Sequence, residues 1–177
     1  MTTLVHFTDA ARARAVASTV VDPELPMVTL ADLGVLRDVE VDAGRVVVSI
    51  TPTYTGCPAM ATMRDDLVRS LQEQGFADVE VRVALQPAWT TDWITPAGVA
   101  ALVEAGISPP GRVSTGSTSG ERSGPVALQL APTRRAVRCP RCSSADVTLV
   151  SEFGSTACKA MYRCGSCLEP FDHVKEH

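Results

Sequence analysis

Two short cysteine pairs, Cys139-Pro-Arg-Cys142 and Cys164-Gly-Ser-Cys167, stand 21 residues apart. A Cys-x-x-Cys pair folds into a tight knuckle whose two thiolates face one ion. Four thiolates at about 2.3 Å satisfy a tetrahedral zinc with no position left open, so the site would be structural. Binding would also supply folding free energy to a segment too short to hold a core unaided. The same four thiolates suit a single iron equally well, which would make the segment a rubredoxin-like electron carrier. Cys158, six positions before Cys164, is either a buried small apolar residue or an accessory thiol beside the ribbon.

A sixth cysteine stands alone. Cys57 lies in Thr51-Pro-Thr-Tyr-Thr-Gly-Cys-Pro58, so the pattern places it at or next to a helix N-cap. There the helix dipole and unpaired backbone N–H groups favour thiolate over thiol. Such a thiolate binds soft metals or attacks an electrophile; the alternative is an N-cap cysteine that merely packs. His6, His173 and His177 are all remote in sequence, and no histidine base can be paired with it. Asp22 and Glu24, in Asp-Pro-Glu-Leu-Pro, either coordinate metal, hold a basic partner or simply shape an Asp-Pro turn. Met60 and Met63 suit a core, whereas Trp89 and Trp93 suit a cleft or a partner interface. No phosphate-binding glycine loop, GxSxG, HExxH or dinucleotide fingerprint is found, so independent catalysis is not expected.

The elements that must position these residues are legible. A chain of 177 residues suits one ordinary domain plus a small satellite. Its 45% apolar content provides for a packed core, built mostly from Ala, Val and Leu because aromatics are only 5%. Sixteen basic against twenty acidic residues, net −4, argue against nucleic acid or an anionic membrane as partner. No apolar run approaches the roughly 20 residues that span a bilayer. The first residues lack a signal-peptide pattern, so a cytoplasmic location is expected. In a reducing compartment, clustered cysteines point to metal before disulfide.

Residues 1–110 carry 7 basic and 14 acidic groups, and residues 111–136 carry 4 and 1. The middle piece contains Ser-Thr-Gly-Ser-Thr-Ser-Gly-Glu-Arg-Ser-Gly (114–124), the composition of a flexible linker. Three regions are therefore expected: a domain over 1–110, a linker over 111–136 and a ribbon over 137–177. In the first, Asp9 caps a helix running to about Thr19, which the Asp22-Pro23 step ends. VLRDVEV (35–41) and RVVVSIT (45–51) form a hairpin around Asp42-Ala43-Gly44. Pro58 opens a helix carrying Met60, Met63, Leu67, Val68 and Leu71, closed by Gly75. DVEVRVAL (78–85) is a third strand, and Thr95-Pro96 opens a short helix ending near Gly106. The order α-β-β-α-β-α predicts an α+β domain with helices packed on one sheet face. Ribbon strands are expected over 147–153, 160–164 and 170–174. An exposed strand edge offers a route to a homodimer.

Taken together, DPELPMVTLADLGVLRDVEV and TPTYTGCP resemble the SufT-like iron–sulfur assembly family, marked by an early Asp-Pro-Glu and a Thr-rich loop ending in Cys-Pro. With CPRC…FGSTACKAMYRCGSC added, nearly the whole chain resembles the PaaD (PaaJ) type of accessory subunit of 1,2-phenylacetyl-CoA epoxidase, from aerobic phenylacetate breakdown. The resemblance implies a role in making or maintaining an iron or iron–sulfur centre of the epoxidase, with the oxygenase or reductase component as protein partner. It implies Cys57 as the reactive cysteine, with Asp22, Glu24, Thr51 and Thr53 around it and iron or a cluster as transient cargo. It implies Cys139, Cys142, Cys164 and Cys167 as ligands of structural zinc, and it adds weight to Cys158. An electron-transfer subunit and a non-catalytic scaffold are the competing roles.

Overall fold

The computed structural model describes residues 3–54, 56–111 and 137–175. The linker expected over 111–136 therefore lies, from residue 112 onward, outside the described residues, as does His177. Element order is α1 (Thr3–Ala17), β1 (Leu36–Asp42), β2 (Arg45–Ile50), α2 (Met60–Glu73), β3 (Asp78–Val83), a 3-10 turn (Thr91–Trp93), α3 (Pro96–Glu104), β4 (Val147–Ser151), β5 (Lys159–Cys164) and β6 (Pro170–Val174). The chain is α+β, as its sequence pattern requires.

Val46, Val48 and Ile50 alternate inward along β2, the central strand of the first sheet, whose order is β1-β2-β3. β1 and β2 run antiparallel through a two-residue loop, Ala43-Gly44, between the paired Asp42 and Arg45. Both loop residues have positive φ, 46° and 87°, the twist that a tight hairpin demands. β3 pairs parallel to β2, so α2 must cross over one sheet face. Its buried Met63, Leu67 and Leu71 recur every four residues and face the sheet. Burying each such leucine contributes about 1.5–3 kcal/mol. Ala13 and Ala17 of α1 complete this core, and the Arg14–Asp38 ion pair ties α1 to β1.

Two helix starts differ from the sequence expectation, and β3 and β4 each end two residues earlier than expected. α1 begins at Thr3 rather than at an Asp9 cap, because no glycine or proline interrupts residues 3–9. α2 begins at Met60 with Ala59 as N-cap, so Cys57 and Pro58 sit in the preceding turn. The positive φ of Gly56, 86°, turns the chain there and delays the helix. Thr95 behaves as expected: its hydroxyl caps α3 by accepting from Gly98 N at 3.0 Å, with Pro96 opening the helix.

The second sheet, β4-β5-β6, is antiparallel throughout and packs Val137, Cys139, Ala160, Tyr162, Cys164 and Phe171. It is docked on the first domain. Ser108 N donates to Asp172 O at 2.8 Å, and Val174 N donates to Ser108 O at 3.0 Å, a parallel bridge between the segment after α3 and β6. His173 is fully buried there, its Nδ1 3.2 Å from the Ser108 carbonyl. The same nitrogen lies 3.3 Å from the Ser108 hydroxyl, so one serine engages the ring through both its backbone and its side chain. Val174 joins the core of the first domain itself.

Gly34 tests the loop that leads into β1. Its φ is +75°, and a Cβ there would come within 2.6 Å of Trp93 Cβ. Gly44 has φ +87° with open space around it. Gly44→Ala is expected to cost about 1–2 kcal/mol of backbone strain alone. Gly34→Ala should exceed that by about 1–3 kcal/mol of overpacking. Urea unfolding midpoints check this, and equal losses would refute the close packing of Trp93.

Candidate functional site

The ribbon cysteines converge. The Sγ atoms of Cys139, Cys142, Cys164 and Cys167 all lie within 4.8 Å of one another. The shortest separations join opposite knuckles, 3.6 Å for Cys139–Cys167 and 3.6 Å for Cys142–Cys164. A tetrahedron with bonds of about 2.3 Å has edges of about 3.8 Å, so the four thiols fit one ion. Cys167 N donates to Cys164 Sγ at 3.4 Å. That amide, against the effect of burial and aided by Ser166 N–H, lowers the Cys164 pKa to about 6. Ser144 and Ser166 bond to each other at 2.8 Å and link the knuckles. Among the described residues this is the only group of three or more His, Cys, Asp or Glu ligand atoms so closely gathered. His173 lies in the clasp and is not one of its ligands.

A second thiol site forms where the domains meet. Asp22, Glu24, Thr53, Cys57, Trp89, Cys158 and Lys175 are among the residues lining one cavity of about 20 Å³. Since one water needs about 10–15 Å³ of such space, the cavity admits a single water-sized species. The first domain supplies the DPEL turn, the Thr-rich loop and Trp89; the ribbon supplies Cys158 and Lys175. Asp22 is buried, and its Oδ1 accepts from Glu24 N and Leu25 N, both at 2.8 Å. It therefore shapes the turn and aims Glu24. The Glu24 Oε2 accepts from Cys158 Sγ at 3.4 Å, and its backbone carbonyl accepts from Lys159 Nζ at 3.2 Å. Trp89 Nε1 donates to Leu33 O at 3.0 Å and fixes the opposite wall.

Both cavity thiols are held protonated. Burial pushes Cys57 above the ordinary thiol value, and Glu24 and Asp22 add to this. The Ala59 and Met60 N–H groups pull the other way without winning. The thiolate expected at a helix N-terminus is thus corrected: the N–H groups are present, but desolvation and two carboxylates outweigh them. Cys158 is pushed up to about 11, by burial first and, against the Thr156 hydroxyl, by Glu24. Tyr54, three residues before Cys57, is pushed up to about 12 by burial and then by Cys57, Glu24 and Cys158. Thr51 does not reach the cavity; it is buried beside a neighbouring open cleft with Thr53, Tyr54, Leu85 and Trp89. Sequence reasoning misses Tyr54, Lys159 and Lys175. Tyr54 stands inside the same loop as Cys57, where its position was a usable signal, but the lysines become visible only once the domains are docked.

Fold and site define an α+β domain bearing a cysteine-containing Thr-rich loop, closed by a four-cysteine β ribbon. Residues 11–83 match the family described as iron-sulfur cluster assembly protein, and residues 123–175 match the PaaD zinc beta ribbon domain. An Escherichia coli (strain K12) protein named as a subunit of 1,2-phenylacetyl-CoA epoxidase is 46% identical over 161 residues, covering 91% of this chain and 89% of that protein. A crystal structure of a domain of unknown function, DUF59, from Bacillus anthracis is 26% identical with a TM-score of 0.52, covering 56% of this chain and 95% of that chain. The chain belongs to the PaaD family of phenylacetyl-CoA epoxidase subunits. No helix among the described residues is long and apolar enough to cross a membrane.

The Asp22 turn yields a test with a pH sign. Asp22→Asn keeps an oxygen for both N–H donors, whereas Asp22→Ala abandons them at a cost of about 1–3 kcal/mol. The Asp22 pKa is raised by burial, so its folded form favours the protonated carboxyl. That contribution is present below the ordinary carboxylate value and is lost as pH rises through the folded one. Asp22→Asn should therefore gain stability relative to the parent between acid and neutral pH, measured by urea unfolding. A flat difference across that range would show that the carboxyl is not strained.

Proposed function

We propose that this chain is an accessory subunit of the phenylacetyl-CoA epoxidase system that delivers iron, free or in a cluster, to an epoxidase component. The observation that carries the proposal is Cys57 in a small cavity closed by the second domain, because a protected soft donor on a loop suits transient cargo. Kinship with the Escherichia coli epoxidase subunit and the iron-sulfur assembly match support the same reading. In this role Cys57 is the acceptor and donor of cargo, Glu24 is its acidic neighbour, and Asp22 and Thr53 position them. Thr51 acts from beneath the same loop. The chain performs no bond chemistry on the CoA thioester. The open edge of β3 leaves a route for two copies, or a copy and a client, to pair.

The domain limits proposed are 1–110 and 137–177, with the ribbon holding structural zinc in a cytoplasmic protein. Zinc rather than iron is favoured by the match to a zinc beta ribbon, since the four-thiolate set suits either ion. Elemental analysis of chain purified anaerobically should find one zinc per chain and no visible colour. A red protein with iron in the ribbon would instead make this an electron carrier.

The central test uses the epoxidase itself. Co-production of its components with Cys57→Ala should give a folded, zinc-loaded accessory chain but an epoxidase depleted in iron several-fold. Full iron occupancy in that epoxidase would defeat the maturation role and leave a scaffold.

A further inference from the structure

The cavity at the domain junction constrains what the cargo can be, a constraint that rests on the iron-handling role proposed above. We infer that it binds one soft divalent cation at a time, held by Cys57, Cys158 and the Glu24 carboxylate, and that it excludes an assembled iron–sulfur cluster.

Size is the first ground. About 20 Å³ suits one water-sized body. A rhomb of two irons and two sulfides would need room for several. The walls cannot retreat cheaply: Leu25, Leu33 and Trp89 are all nearly fully buried, and Trp89 is pinned to the Leu33 carbonyl. Displacing packed side chains of this kind costs about 1–3 kcal/mol each.

Donor chemistry is the second. Two sulfurs select iron, zinc or cobalt over magnesium or calcium. The third donor is Glu24, whose Oε2 already meets Cys158, whereas Asp22 is held in its own turn by two N–H groups on Oδ1. Glu24 is half-buried with its Oε2 on the Cys158 thiol, and the three donors are less tightly gathered than the ribbon thiols, so they must close on the ion as it enters. A divalent cation with two thiolates and one carboxylate carries a single net negative charge. Lys159, bonded to the Glu24 carbonyl at 3.2 Å, stands beside it as counter-charge.

Binding is a proton exchange. Each S–H bond breaks as its sulfur–metal bond forms, so two protons leave for every cation that enters. The proton of Cys158 has an acceptor already in contact, the Glu24 carboxylate at 3.4 Å, which passes it to water before closing on the ion. No electron is transferred.

The test uses the full chain, with the ribbon zinc in place, titrated anaerobically with cobalt(II) alone. One cobalt per chain should bind beyond the retained zinc, with a sulfur-to-cobalt charge-transfer band. Cys57→Ser and Cys158→Ser should each weaken binding at least tenfold and roughly halve that band; Glu24→Gln should weaken binding while sparing the band. Cys158→Ala serves as a second variant should serine disturb packing, and zinc content with the thermal melt verifies folding. Supplying ferrous iron with sulfide should leave no acid-labile sulfide on the chain. Retained sulfide with two irons per chain, or cobalt binding indifferent to Cys158, would overturn the inference. Those outcomes are separable from the maturation role, since epoxidase iron content under Cys57→Ala is read on a different protein.

Discussion

One backbone contact organises the rest of the molecule. Ser108 gives its N–H to Asp172 and its carbonyl to Val174, clasping β6 to the segment that follows α3. Each such bond contributes only about 0.5–1.5 kcal/mol. Their weight comes from what they align: Val174 enters the first core, and His173 is buried against the same serine. With β6 held, β5 is held through its pairing, and the chain just before β5 places Cys158 on Glu24. Cys164, at the far end of β5, is one of the four gathered ribbon cysteines. A single strand thus connects the metal knuckles to the junction cavity. Docking of the folded ribbon is therefore a condition for the second thiol site to exist at all.

The two groups of cysteines occupy different electrostatic settings. In the ribbon the four thiols divide: the Cys167 and Ser166 N–H groups draw Cys164 down to about 6, while the neighbouring thiols help raise Cys142 and push Cys167 up to about 12. At the junction, burial and the carboxylates of Asp22 and Glu24 hold Cys57 and Cys158 protonated. Metal binding requires thiolate, so raised thiols subtract from affinity. The ribbon offers four gathered thiols with one already lowered, whereas both junction thiols are raised, a difference consistent with the proposed carrier role.

Much of this is legible in the sequence because it depends on local rules. The inward Val46, Val48 and Ile50, the helical spacing of Met63, Leu67 and Leu71, and the Thr95-Pro96 start each state their element directly. The gathering of the four ribbon cysteines follows from the spacing of two knuckles. The departures also have physical causes. Cys57-Pro58 reads as a helix start, yet the positive φ of Gly56 postpones α2 to Met60. A helix terminus taken alone implies a thiolate, because no sequence pattern displays the burial that reverses it. Least visible is the juxtaposition of Glu24 with Cys158 and Lys159, since those residues stand more than 130 positions apart and meet only through the Ser108 clasp.

Two thiol sites in one chain also create a problem of discrimination, because both prefer the same soft cations. Ligand number resolves it. Four thiolates with no open position bind a tetrahedral ion far more tightly than two protonated thiols and a carboxylate. At equilibrium the ribbon must fill first. Since the docked ribbon positions Cys158, the proposed junction site is completed only when the ribbon is folded and clasped at Ser108. Under the proposed carrier role, the ion of the ribbon would then precede any cation held at the junction.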